Sequence, residues 1–173
     1  MSSLLRLATL LTVLLATTPA LGAQAVALSV EGLTRGSDAV VRGHVRSVTS
    51  TLSEDGRRVF TLVELEVAAT WRGGELRSVL VIVPGGDAGG ITQRVEGAPS
   101  FVEGEEVVVF LHRAEAGGHR VAGLAQGKFA VAGPGAAPDL AHTRLVAQPL
   151  RPGERPAEAM PVAELERRVR SVP

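Results

Sequence analysis

Asp38 to Thr51 reads DAVVRGHVRSVTST, and Val59 to Trp71 reads VFTLVELEVAATW. In the first run Val41, Gly43 and Val45 fall on one face, with Val40, Arg42, His44 and Arg46 on the other. That two-residue period belongs to a strand with one face wetted. The second run places Val59, Thr61, Val63, Leu65, Val67, Ala69 and Trp71 together, with Glu64 and Glu66 opposite. Ser53 to Gly56 (SEDG) between them carries Asp-Gly turn chemistry, which predicts an antiparallel hairpin of two long strands. Gly43 interrupts the first strand with a residue that packs nothing, so it marks a bend or bulge. Long strands that bend are what a small sheet needs to close on itself.

Downstream, Arg72 to Glu75 (RGGE) turns the chain into Val79 to Val83 (VLVIV), apolar on both faces and therefore expected to be central. Glu105 to Arg113 (EEVVVFLHR) is a second thoroughly apolar strand, ended by a turn at Ala116 to Gly118. His119 to Leu124 and Lys128 to Ala132 are short strands separated by Ala125-Gln126-Gly127, and His142 to Gln148 reads as an edge strand. Leu28 to Arg35 is expected to be helical, with Ser29 as N-cap and Gly36 as stop. Val162 to Val169 follows Pro161 and carries a stripe of Val162, Leu165 and Val169, a second short helix. The expected fold is mainly all-β: a small OB-like β-barrel over residues 26–148 with a short helix near each end. Residues 149–173 form a Pro-rich tail with the C-terminal helix.

Residues 1–25 read as a signal peptide. Arg6 precedes the apolar run Leu7 to Leu15, which is too short to span a bilayer. Ala23-Gln24-Ala25 offers small-x-small cleavage, with a cut after Ala25 preferred to one after Ala23. The mature chain is thus expected to be secreted or periplasmic, with no membrane span. Removing that segment takes one base and no acid, leaving 17 basic and 18 acidic residues. A net of −1 speaks against nucleic acid or an anionic bilayer as partner. The chain has no cysteine, which excludes disulfide scaffolds, zinc ribbons and thiol nucleophiles together.

The chemistry-bearing motifs are incomplete. Gly123 to Phe129 (GLAQGKF) has three residues between its glycine and Gly-Lys where a phosphate loop has four, and Phe129 stands in place of the hydroxyl. No two of the four histidines sit at i,i+4 on a helix; His112 and His119 flank a hairpin without a third ligand. Ser100 lies in Ala98-Pro99-Ser100-Phe101, not in a nucleophile elbow. No cofactor, metal or catalytic residue is expected. What stands out is Pro84 to Phe101 (PGGDAGGITQRVEGAPSF), a long segment with five glycines. Such loops either carry function or close an end of the fold. Gly85, Gly86, Gly89, Gly90, Gln93 and Arg94 there, with Gln126 and Lys128, form the expected contact surface.

Ser37 to Val45 (SDAVVRGHV), followed by Arg72-Gly73, resembles the opening of the netrin-like domains, which include the tissue inhibitors of metalloproteinases. The resemblance, at Asp38, Val40, Val41, Gly43 and Val45, implies an OB-fold. The inhibitors' reactive edge depends on an N-terminal disulfide-bonded cysteine that this chain lacks, so the inhibitory mechanism does not transfer. A later series resembles a group of exported, myxobacteria-like bacterial proteins. It runs through Pro84-Gly85-Gly86, Gly89-Gly90, Gln93, Pro99, Phe101, Gly104-Glu105, Phe110-Leu111 and Gly123 to Phe129. That likeness implies a fold and a compartment, not an activity. The expected function is a non-enzymatic exported module that binds an extracytoplasmic protein or surface polymer. An inhibitor or accessory factor of an exported protease is the alternative, and a hydrolase with an unrecognised site the third reading.

Overall fold

The computed structural model describes residues 24–115, 117–140 and 143–173. The body of the expected signal segment, Ala116 and His142 lie outside the described residues. In chain order the elements are β1 (Gln24–Val26), α1 (Val30–Arg35), β2 (Ala39–Leu52), β3 (Val59–Arg72), β4 (Ser78–Pro84), β5 (Gly86–Ala88) and β6 (Ile91–Gln93). There follow β7 (Glu106–Arg113), β8 (His119–Val121), a 3-10 turn (Leu124–Gly127), β9 (Lys128–Ala132), β10 (Gly135–Pro138), β11 (Arg144–Val146), β12 (Met160–Pro161) and α2 (Val162–Arg170).

The large sheet runs β12-β10-β9-β7-β2-β3-β4-β8, and β8 pairs back onto β7. Strands β7, β2, β3, β4 and β8 therefore close into a five-stranded OB-like barrel. Its interior is aliphatic: Val41, Val45, Val63, Leu65, Val81 and Leu111 are all at most 2% exposed. Among the described residues no helix is long and apolar enough to cross a membrane.

The β2–β3 hairpin forms where its turn chemistry places it, and its register shifts beside Val40/Val41, Arg42/Gly43 and Val45/Ser47. At the second shift Gly43 lies so close to β3 that a Cβ would sit 2.2 Å from the Glu66 carbonyl oxygen; only glycine fits. The partner register skips Ala68 there, and the faces exchange. Val63 and Leu65 point into the barrel, whereas Ala69 and Trp71 point out of it. The single continuous face expected for β3 is corrected by this bulge.

Outside the barrel a second core forms on the opposite face of β2 and β7. Val40, Val108 and Phe110 meet Leu33 of α1, Phe129 of β9, and Leu165 and Val169 of α2. The Phe110 and Phe129 rings lie 5.9 Å apart. Each such side chain removed from water contributes roughly 1.5–3 kcal/mol. Residues 149–173 thus complete the fold instead of trailing from it, since β12 joins the sheet and Ala157 and Val162 are buried. Arg168 on α2 grips Glu31 on α1 with two hydrogen bonds of 2.7 and 2.8 Å. The bond from Arg168 holds the Glu31 carboxyl below its ordinary range despite partial burial. Ser29 caps α1 by accepting from the Gly32 N–H, and Gly36 ends it, as their positions predict.

Candidate functional site

The glycine-rich segment is a small hairpin and not an irregular loop. β5 and β6 pair antiparallel, and Gly89-Gly90 form the tip at φ 58° and 77°, the two-residue turn that requires positive φ at both positions. Its root is tied to β3. The Gly85 N–H donates to the Val59 carbonyl at 2.8 Å, the Val59 N–H donates to Gln93 Oε1 at 2.8 Å, and Thr61 Oγ1 donates to the Gly85 carbonyl at 2.8 Å. Beyond the hairpin, Pro99 is buried and Ala98 and Phe101 pack on the barrel core. The segment therefore closes one end of the barrel. Of its expected contact residues, Gly89, Gly90 and Arg94 are exposed, Gly86 and Gln93 half-buried, and Gly85 buried.

Gln126 and Lys128 are corrected outright, because both side chains lie inside at 3% exposure. Gln126 acts as a surrogate strand partner for the N-terminal segment. Its Nε2 donates to the Val26 carbonyl and its Oε1 accepts from the Leu28 N–H, each at 2.9 Å. Lys128 Nζ donates to Glu105 Oε2 at 2.9 Å and lies 5.0 Å from the centre of the Phe101 ring. Phe129 belongs to the outer core. The GLAQGKF segment is thus explained by packing and hydrogen bonding. A polar residue in a tight Gly-rich turn reads as accessible from sequence alone, and only the chain crossing over it shows otherwise.

The barrel has one weak seam. β4 and β8 run parallel through a single register pair, Val81 with His119, and then part. β4 stands between β3 and β8, as a central strand does, but its outward face is not covered: Leu80 is 39% exposed and Ile82 half-buried. A cleft of about 480 Å³ opens beside the seam where the strands diverge. Val83 and Val121, which otherwise belong to the barrel interior, reach its wall, joined by Phe60, Ile82 and Leu124. Arg58, His112 and Arg120 add the polar lining, with Gln93 and Pro99 from the end-closing segment. None of the described residues lining the cleft is acidic. Arg58 and Arg120 are exposed, and no ion pair among the described residues engages either guanidinium.

Two further details mark the cleft and its seam. Leu124 has φ 57°, the one non-glycine residue at positive φ among those described, and its side chain is 42% exposed. Left-handed backbone at a leucine costs roughly 1–2 kcal/mol. His119 sits at the pair that pins the seam, with Nδ1 enclosed and without a hydrogen-bond partner among the described residues. Burial, reinforced by the charge of Arg113, pushes its imidazole below the usual histidine range, while Asp38 opposes the shift.

A second cleft, about 570 Å³, lies between the root of the β5–β6 hairpin and the end of β2–β3. It mixes Asp87, Glu96 and Arg94 with Ser50 and Thr61, so its lining has no single charge sign. Among the described residues no group of three or more His, Asp or Glu side chains is placed to hold a metal ion. The sequence could have pointed to the seam cleft through two signals. Arg58 stands two residues after the Asp-Gly turn, and Leu80 and Ile82 are apolar at outward positions of a strand. Comparison with the known protein families, with curated proteins and with solved structures finds no match to this chain.

Proposed function

We propose that the protein is an exported, non-enzymatic binding module that takes its ligand in the seam cleft. One observation carries the proposal: two arginines that form no salt bridge among the described residues, and an imidazole, share the lining with an apolar wall, and that lining has no carboxylate. Pockets of roughly 300–1,000 Å³ with apolar walls and a few convergent polar groups are the ordinary form of a ligand site. Guanidinium groups over such walls recognise an anionic group by charge-assisted hydrogen bonds. The end-closing segment adds Gln93 of its hairpin and Pro99 beyond it to the lining of the cleft, while the hairpin tip is exposed.

The test is a titration of the isotope-labelled protein with three probes: an acidic peptide, sodium dodecanoate and a neutral oligosaccharide. Backbone amide shifts should saturate around Arg58, Ile82, Arg120 and Leu124 for at least one anionic probe. Shifts confined to the Gly89-Gly90 tip and Arg94 would move the site back to the hairpin. No saturable shift with any probe would end the binding-module assignment at this cleft.

A further inference from the structure

Resting on the seam cleft as the binding site, the geometry points to a definite ligand class: a free, single-chain anionic amphiphile. The cleft has two chemically distinct parts. Its wall contains residues whose side chains otherwise build the barrel interior, Val83 and Val121, which reach it because β4 and β8 diverge after one register pair. A ligand entering there continues the hydrophobic core into the gap between two strands, and an extended hydrocarbon suits that gap. The polar lining is cationic and donor-rich. Arg120 and His112 are directly opposite one another on β8 and β7, so they share the outward face, and Arg58 enters from the β2–β3 turn. A carboxylate or phosphate head satisfies these donors, and a neutral head leaves them unanswered.

Leu124 supplies the third element. The barrel core does not need this side chain, which is substantially exposed, yet the backbone beneath it is held in a left-handed conformation that glycine would adopt without strain. Its presence is explained by what it adds to the cleft, a further apolar side chain in the lining shared with Ile82 and Val83. An acidic peptide would use the cations but fill the strand gap poorly. A bilayer surface would need an extended basic face, which the balanced net charge of the chain does not supply.

The experiment is isothermal titration of the mature protein with dodecanoate below its micellar concentration. Octanoate, dodecyl maltoside, an acidic hexapeptide and phosphatidylglycerol vesicles serve as comparison arms. Dodecanoate should bind with one-to-one stoichiometry at the cleft, and each pair of methylenes from octanoate upward should tighten binding roughly tenfold. Dodecyl maltoside should bind at least about tenfold more weakly than dodecanoate. Arg120→Gln should weaken dodecanoate about tenfold, whereas Arg94→Gln at the other cleft should leave it unchanged. Leu124→Gly should weaken it several-fold without lowering the melting temperature, because glycine relieves the positive φ; this variant separates binding from folding. Binding of the peptide but not of dodecanoate would overturn the amphiphile while leaving the seam cleft as a site. Equal affinity for maltoside and carboxylate, or binding to vesicles alone, would also overturn it. Silence from every probe would remove both the ligand class and the binding site.

Discussion

Replacing Gln126 by alanine should release the N-terminal segment, and the cost can be worked bond by bond. The wild-type carboxamide makes two hydrogen bonds of 2.9 Å, to the Leu28 N–H and the Val26 carbonyl, across about a hundred residues of sequence. A hydrogen bond contributes about 1 kcal/mol net, and an orphaned buried group costs about 1–3 kcal/mol. Val26 is 44% exposed, so water can take over its carbonyl, whereas Leu28 is half-buried and packs against the outer core. The expected loss is therefore about 2–3 kcal/mol. For a domain of this size that lowers the melting temperature by roughly 4–12 °C. Urea denaturation gives the free energy, and amide exchange at Ala27 and Leu28 shows where it is lost. Gln126→Glu sharpens the test, since an ionised carboxylate still accepts from Leu28 but sets an oxygen against the Val26 carbonyl. Its deficit should shrink at low pH, where the acid can donate. Unchanged stability and exchange in Gln126→Ala, or a Gln126→Glu deficit independent of pH, would refute the clamp.

Lys128→Met should cost about 3 kcal/mol, because Glu105 loses its buried partner. Adding Glu105→Gln should recover most of that loss, and a double-mutant cycle in urea would show whether it does. His119 has a depressed pKa, so folding favours its neutral form. Its contribution is complete above the unfolded value near 6.5 and is lost as pH falls from there towards the folded pKa. Comparing wild type with His119→Gln between pH 7.5 and 5.5 should show the variant declining less, and parallel declines would contradict this. Leu165→Ala should cost about 3 kcal/mol in a single urea transition with the wild-type slope, as expected for a core side chain. A separate early transition would mean that α2 melts independently of the barrel.

Much of the architecture is legible in the sequence because it rests on local rules. Alternation fixes β2 and β3, a continuous apolar run fixes β7, Asp-Gly chemistry joins the first two, and Ser29, Gly36 and Pro161 bracket the helices. What escapes is set by contacts between distant segments. The exchange of faces at Ala68 depends on how closely Gly43 approaches the neighbouring strand, which no period in either strand encodes. The interior positions of Gln126 and Lys128 depend on the N-terminal strand and on Glu105 arriving from elsewhere. The seam cleft exists because two parallel strands diverge, and its arginines come from separate turns and strands. Polar residues in glycine-rich turns attract attention in a sequence, yet the arginines of the cleft stand just before one strand and on another that look like ordinary barrel wall.

The outer core has a temporal consequence. Its members run from Val30 to Val169, and the Glu31–Arg168 ion pair joins residues 137 positions apart. A chain delivered N-terminus first, by a ribosome or through a narrow channel, can form the β2–β3 hairpin early. Leu33 and Phe129 can cover part of the outward faces of Val40, Val108 and Phe110 before then, but Leu165 and Val169 of α2 complete the cover only when that helix emerges. Until then those faces are partly open to a holding chaperone, and closing so long a loop is slow. In N-to-C synthesis α2 is therefore the last element available to the outer core, and its docking ends the exposure of those faces.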